Sequence, residues 1–538
     1  MKRLREIGHW LFRDHPGLYL FLAVACLYFA TMSREVPWGD ARPVYEVALS
    51  MVRGDGIAVP TRWPSDAPPG RHGRFYAPQP WLPSLAHLPG VTARQLLVRV
   101  PHGPEIGHLI EVIGCHLAGG LLGALTAWLF FRLCLRHGAS RRVARFAALA
   151  LATGSLVWVY ARYPFTEIVQ VACFTGFFLA ASDLGRELSR RHALAVGFWA
   201  GLLVNTKYVY VLCLPGAVLT LALAHRRSPR PLARALGHAG LGLLPGALMA
   251  LLYNYLRFGS PLKTGYSGVA GAMVENVALS CWGFLFSPGK SIFIYVPPLL
   301  LAALGLRRFW RQHRTSGLLM LATVAPLALF YGAFPSWPGD WSWGPRYLVF
   351  AVPVLLLPMI GFLPGLRWPG RTLAGAVLVA GIVVQLLGNA FYWDHYLRIA
   401  LDVRSKWLGQ ANRTASLSTD KGGFCEGCFE DVYPTVWLPP FQPVLGHFWL
   451  LRHVPFGDSW PEAAVDAPWR RHTRLAIDAQ GSYQRARVDW WLYDTHAHRG
   501  AGWLLLLLLA GGSVAAGVVF IRRTRDAGLR DPPDAETK

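Results

Sequence analysis

Charge is what this chain has least of. Of its 538 residues only 15% are Asp, Glu, Lys or Arg, against about 25% in soluble domains. Acids are the scarcer sign, with 30 Asp+Glu facing 53 Lys+Arg, and lysine is rare beside arginine. With 53% hydrophobic residues and a mean hydropathy of +0.32, the chain is neither a soluble globular enzyme nor a disordered polymer, because disorder requires low hydrophobicity and high charge. Cysteine is sparse too: eight in the whole chain exclude a disulfide-dense secreted scaffold. The GxxxxGK[ST] spacing of a phosphate loop is missing. No internal repeat is visible, so the matching halves of an inverted-repeat transporter are missing as well.

What the chain has instead is long apolar runs. Candidate membrane spans fall at 16–33, 106–131, 146–161, 166–182, 193–204, 208–224, 237–256, 290–306, 315–332, 346–364, 372–391 and 501–521. Most are long enough to cross a hydrocarbon core of ~30 Å as helices. The reading is therefore an all-α polytopic membrane protein with about 12 transmembrane helices. The first run follows Lys2, Arg3 and Arg5 and resembles a signal sequence, but no convincing small-x-small cleavage site follows it, so it reads as an uncleaved anchor.

Orientation follows from the basic loops. These are Arg132–Arg145, Arg186–Arg191, Arg226–Arg234, Arg307–Arg314, Arg367–Arg371 and the tail from Arg522. With both termini cytoplasmic, twelve crossings place all of them on the cytoplasmic side. The stretch 193–224 is long for one crossing and short for two, with Asn205-Thr206-Lys207 in its middle. Two short crossings keep the later loops in register, and a broken element at membrane depth is tolerated where it lines a polar cavity. The net charge of +23 could suggest nucleic acid, but most of the excess falls in the cytoplasmic loops, so it reads as a topology signal and no nucleic-acid partner is expected. The module 1–391 then carries a long first exterior loop, 34–105, and shorter exterior loops at 257–289 and 333–345. An exterior domain covers 392–500, and 501–538 forms the last span and a cytoplasmic tail.

The exterior segments hold the groups that carry chemistry. Asp40 follows the first span by a few residues, in Pro37-Trp38-Gly39-Asp40-Ala41-Arg42. The next stretch sets Val44, Val47, Ala48, Met51 and Val52 on one helical face and ends at Gly54-Asp55-Gly56, which predicts an interfacial amphipathic helix. An aromatic, proline-rich segment, Gly73 to Pro83, follows. Asp40 so placed faces lipid head groups, or else serves as a helix cap or a simple juxtamembrane charge.

An exterior Asp after the first span, an amphipathic helix and then an aromatic-proline segment together resemble the GT-C glycosyltransferase superfamily. Its members include protein O-mannosyltransferases and the aminoarabinose transferases that modify lipid A. Further segments resemble bacterial members: Arg162-Tyr163-Pro164-Phe165-Thr166-Glu167, Tyr253-Asn254-Tyr255-Leu256-Arg257-Phe258-Gly259-Ser260-Pro261, Phe286-Ser287-Pro288-Gly289-Lys290-Ser291 and Trp341-Ser342-Trp343-Gly344-Pro345-Arg346-Tyr347. The resemblance covers 16–391 loosely and does not extend to 392–500. It implies a GT-C-like fold and transfer of a sugar from a polyprenyl-phosphate carrier to an exterior lipid, glycan or protein acceptor, with inversion. It also implies a bacterial inner-membrane location, the active site facing the periplasm.

Residue by residue, the resemblance makes Asp40 the general base that takes a proton from the acceptor. Glu167 becomes a second acid, unless it pairs with Arg162 at the bilayer surface. Arg42, Lys207, Lys290 and Arg346 are the cations expected to meet the donor phosphate. A lysine inside a short apolar hairpin is costly unless it faces a polar cavity or an anion, or snorkels to the interface. Arg346 suits bidentate phosphate contact or a pair with Asp340. Lys290 stands at a helix start. Relatives place a lysine in the aromatic-proline segment; this chain has none there, and Arg74 is the nearest substitute. Tyr76, Tyr266 and Tyr347 are candidate substrate contacts. The sequence names no cofactor, and a divalent metal is compatible.

The other constellations carry weaker signals. Cys425 and Cys428, in Cys-Glu-Gly-Cys, read as an exterior disulfide, with a redox pair as the alternative; one CxxC is too few for a structural zinc site. Asp494, His496 and His498 alternate like metal ligands, or form a solvated turn. The tryptophans of 392–500 read as interface anchors or sugar-stacking surfaces. Two other classes compete with the transferase: a lipid or glycan transporter or flippase, whose ionisable groups belong near the midplane, and a non-catalytic glycan-binding scaffold.

Overall fold

The computed structural model describes residues 16–34, 39–60, 69–101, 103–266, 276–334, 336–339, 342–393, 396–397, 399–400, 434–453, 488–491 and 501–526. Among these the protein is all-α, with two isolated β-bridges, Val59–Phe75 and Phe391–Val488. The Cys425–Cys428 pair, the Asp494–His498 motif, Trp38, Asp340 and Trp341 lie outside the described residues.

Helix α1 (Pro16–Ala30) leads into a first loop that carries α2 (Ala41–Arg53) and α3 (Trp81–Leu97). There follow α4 (Pro104–Arg136), α5 (Arg141–Gly154), α6 (Leu156–Ala161), α7 (Thr166–Arg186), α8 (Arg190–Val204), α9 (Cys213–Ala224), α10 (Pro229–Phe258) and α11 (Val277–Phe286). After the single turn α12 (Ile292–Tyr295) come α13 (Leu299–Gln312), α14 (Arg314–Gly332), α15 (Val352–Leu356), α16 (Met359–Phe362), α17 (Trp368–Ala390), α18 (Pro443–His453) and α19 (Ala501–Asp526). Six of these, α4, α7, α10, α14, α17 and α19, are long and apolar enough to cross a membrane, and shorter apolar stretches lie at Pro16–Ala30, Tyr208–Ala224, Val277–Phe286 and Arg346–Phe362.

The amphipathic helix predicted after Asp40 is α2. Its apolar stripe, including Val44, Val47 and Ala48, is buried, and Gly54 closes it in the left-handed region at φ +85°. Where the sequence suggested only an aromatic-proline segment, α3 forms a second helix across the first loop. Pro80 stands just before its first turn, where a proline costs no hydrogen bond. The expected span 146–161 is not continuous. Ser155 interrupts it with extended backbone and caps α6 by accepting from the Val157 N–H. The break expected at 205–207 is present. Asn205 ends α8, Lys207 is extended, and a 3-10 turn, Tyr208–Leu212, starts the return.

At the centre stands α7, whose side chains from Thr166 to Leu184 are almost all buried. It contacts α4, α8 and the 3-10 turn Arg346–Ala351. Between Ile168 and Ser182 it carries no charge, so Glu167 and Asp183 mark its two ends, roughly 25 Å apart along the axis. α10 is held mainly through α8. Association of helices in lipid relies on close packing of small residues rather than on apolar burial. Here Gly197 and Gly201 face Gly242 and Gly246, and a Cβ on Gly197 would stand 1.9 Å from the Ala239 carbonyl oxygen. The rest of α10 exposes leucines such as Leu241, Leu244, Leu248 and Leu252.

The bundle has two chemically distinct ends. At one, Arg136 approaches Asp183 at 3.8 Å, Arg145 donates to Thr524 and His137 meets Ser316. At the other lie the first loop, Arg162, Glu167, Arg257, Lys290 and Arg346.

Candidate active site at one end of the bundle

The acids singled out in the sequence meet on one arginine. Arg346 donates from Nε to Glu167 Oε1 at 2.6 Å and lies 3.0 Å from Asp40 Oδ2 through Nη2. Its guanidinium also sits 4.9 Å above the Phe165 ring. Asp40 occupies the N-cap position of α2, yet its side chain makes no capping hydrogen bond. The carboxylate turns across to Arg346 instead. The two acids differ in access: the Asp40 side chain is 40% exposed and that of Glu167 only 4%. Glu167 heads a buried polar string in which Gln170 donates to Thr166 and Tyr210 donates to Gln170. The alternative pairing of Glu167 with Arg162 does not occur. Arg162 is buried against Asp489 at 3.2 Å and donates to the Thr31 carbonyl.

Three further predicted residues border this cluster. Tyr347 stacks on Tyr331, with ring centroids 4.6 Å apart and planes 1° from parallel. The Lys207 ammonium lies 5.0 Å from each of the two rings. A cation within about 6 Å of an aromatic ring is attracted by the ring's quadrupole. Tyr266 closes the other side. Burial first, and then the Asp40 carboxylate, push its phenol above the usual range, with Glu167 adding to this and Arg257 opposing it.

Lys290 stands behind the cluster. Its ammonium is buried and donates to the Ser342 carbonyl at 2.7 Å, the Ser342 hydroxyl and the Gly344 carbonyl, pinning the turn that presents Arg346. Arg42 and Arg74 belong elsewhere. Arg42 pairs with Glu46 at 2.7 Å on the exposed side of α2. Arg74 lines a groove of about 660 Å³ with Glu46, Arg53 and Asp55. Tyr76 donates to the Arg71 carbonyl and packs edge-on against Phe258. Among the described residues no group of three His, Cys, Asp or Glu side chains gathers to hold a metal ion.

The sequence reading gave Arg257 no role, although the residue lies in a motif it quoted. An arginine at the end of a long apolar helix reads as a juxtamembrane charge. Here it is fully buried and grips the first loop.

Fold and site together define a polytopic helical membrane protein with an acid–arginine–acid cluster at one end. It is similar to two solved structures. One is the crystal structure of ArnT from Cupriavidus metallidurans in the apo state, with a TM-score of 0.44 at 16% identity over 96% of this chain and 78% of that one. The other is ArnT from the same organism bound to undecaprenyl phosphate, with a TM-score of 0.45 at 14% identity over 96% and 79%. No protein-family profile and no curated protein sequence matches the chain.

Proposed function

We propose that the protein is a glycosyltransferase of the bacterial inner membrane, moving a sugar from a polyprenyl-phosphate carrier to an exterior lipid, glycan or protein acceptor. One observation carries this reading: Arg346 is held between a half-exposed and a buried carboxylate, next to a lysine seated on a tyrosine pair. Asp40 is the acid that a substrate can reach. It accepts the acceptor's O–H or N–H proton while the acceptor lone pair forms the new bond to the anomeric carbon. The bond from that carbon to the phosphate oxygen breaks, and its electron pair leaves with the phosphate. A single displacement of this kind inverts the anomeric configuration. A phosphate leaves without protonation by an acid, which frees Glu167 to hold Arg346 in place. Lys207, held by the stacked Tyr331–Tyr347 pair, supplies the positive charge that neutralises the departing phosphate.

Transporters keep ionisable groups near the midplane. In this chain the central helix α7 is free of charge between its ends, which favours a site at the membrane surface. The test is a transfer assay with polyprenyl-phosphate sugars in membranes containing the protein. Asp40→Asn should lower kcat by about 10²–10⁴-fold, the usual worth of a positioned base. A variant with full activity would remove Asp40 from the chemistry.

A further inference from the structure

The segments that carry Asp40, Lys207 and Tyr266 are far apart in sequence, and one side chain lies between all three. Arg257, in the last turn of α10, donates through Nη1 to the Ala77 carbonyl at 2.5 Å and the Gln79 carbonyl at 3.0 Å. Through Nη2 it donates to the Asn254 side-chain oxygen at 2.8 Å. The Tyr208 hydroxyl donates to that same oxygen at 2.9 Å, and the Asn254 amide donates to the Pro261 carbonyl at 3.2 Å. The guanidinium lies 4.0 Å from the Tyr253 ring and 4.7 Å from the Phe258 ring.

Each contact leads to a different wall of the site. Gln79 donates from its side chain to the Asp40 carbonyl at 3.3 Å, so the segment gripped by Arg257 is tied to the proposed base. Tyr208 adjoins Lys207. Pro261 begins the loop that reaches Tyr266, and Gly265 in that loop packs directly on Pro78, where a Cβ would stand 2.4 Å from the Pro78 Cα. All the acceptors named are neutral amide oxygens. A buried guanidinium that spends its donors on backbone carbonyls fixes geometry, since several N–H groups in one rigid fork set the relative positions of their acceptors. Lysine, with one nitrogen on a flexible stem, cannot span them.

We infer that Arg257 is a positioning residue that assembles the site from three loops, holding Asp40 through the 77–79 segment, Lys207 through Tyr208 and Tyr266 through Pro261. This inference rests on the proposed transfer reaction for its kinetic consequence, while its structural consequence is independent of that reaction.

Two measurements on the full-length protein in lipid nanodiscs test it. The first is trypsin cleavage after Arg71 and Arg74, read by mass spectrometry. In Arg257→Ala the released loop should be cut about tenfold faster, because proteolysis follows the population of the open segment. The second is transfer from a polyprenyl-phosphate sugar. Arg257→Ala and Arg257→Lys should both lose about 100-fold in kcat, the scale of an ångström of misplacement, with donor KM changed less than about threefold. Added guanidinium chloride should restore part of the activity of Arg257→Ala and none of that of Arg257→Lys. Gln79→Met leaves the Arg257 contacts intact and cuts only the last link to Asp40. It should lower kcat with unchanged cleavage, and it keeps the inference testable if the Arg257 variants do not fold. Unchanged cleavage in Arg257→Ala, or a Gln79→Met enzyme with wild-type kcat, would overturn the assignment. If the wild-type protein transfers no sugar, the proposed function fails on its own, and the cleavage arm still decides whether Arg257 orders the loop.

Discussion

Arg346 binds two carboxylates with two different nitrogens, and the buried one depends on it more. With its side chain 4% exposed, Glu167 cannot turn to water if the guanidinium is removed. A buried ion pair broken on one side leaves a desolvated charge, which costs about 3–5 kcal/mol. Arg346→Met should therefore destabilise the protein by about that amount, and Arg346→Met with Glu167→Met should recover much of the loss, since no charge is then stranded. Thermal unfolding in detergent across the four-member cycle measures this. A loss under about 1 kcal/mol in the single variant would mean that Glu167 finds another partner. Asp40, Glu167 and Arg346 stand out in the sequence as rare exterior charges beside apolar runs, and it was the family resemblance that gave them roles. Their pairing was not legible. Arg346 reaches Glu167 across 179 positions of sequence, and only the packing of α7 against the turn at 346 brings them together. Lys290 was read as a phosphate contact because it is an exterior cation at a helix start, a placement that cannot reveal the carbonyl oxygens of 342 and 344 already at its ammonium. Arg42 is spaced four residues from Glu46 on one helix, so its ion pair was available from the spacing alone.

Hydropathy found the apolar elements well, because length and composition suffice for it. It missed what depends on polar groups and on contact. Ser155 breaks 141–161 with one side-chain cap, α3 hides among prolines that occupy its first turn and Pro89, and α11 is too short to register as a span. The glycines of α8 and α10 looked like composition and prove to be an interface. Replacing Gly197 with Val would drive a side chain into the Ala239 carbonyl, which stands 1.9 Å from the position of a Cβ. Backbone cannot yield as a flexible side chain would. Gly197→Val should separate α8 from α10 and remove the monodisperse peak in fluorescence-detected size exclusion. Gly240 lies on the same α10 helix with nothing within 4 Å of its Cβ position. Gly240→Ala should be tolerated and gain up to about 1 kcal/mol from helix propensity. Equal behaviour of the two variants would show that close packing does not hold this helix pair.

Across the whole molecule, charge sorts into a site end and an arginine-rich end. At the site end the strap 488–491 is drawn into the bundle: Asp489 binds Arg162 and the Ser33 hydroxyl, and Trp490 and Trp491 donate to carbonyls at the end of α1. At the other end, α19 runs along α1 and its last turn meets Arg145. Short basic loops stay in the cytoplasm because moving them across the bilayer is disfavoured. The exposed turn holding Arg227 and the exposed C-terminal part of α13 holding Arg308 should then face inward, and the cluster of Asp40, Glu167 and Arg346 outward. That placement suits a reaction using a carrier lipid displayed on the outer leaflet. Single cysteines at Arg227, Arg308 and the exposed Lys263, in a cysteine-free background, distinguish the two orientations. A membrane-impermeant maleimide applied to intact spheroplasts should label the cysteine at 263 and spare those at 227 and 308 until the membrane is permeabilised. The reverse pattern would place the acid–arginine cluster in the cytoplasm and remove an exterior acceptor from the proposed reaction.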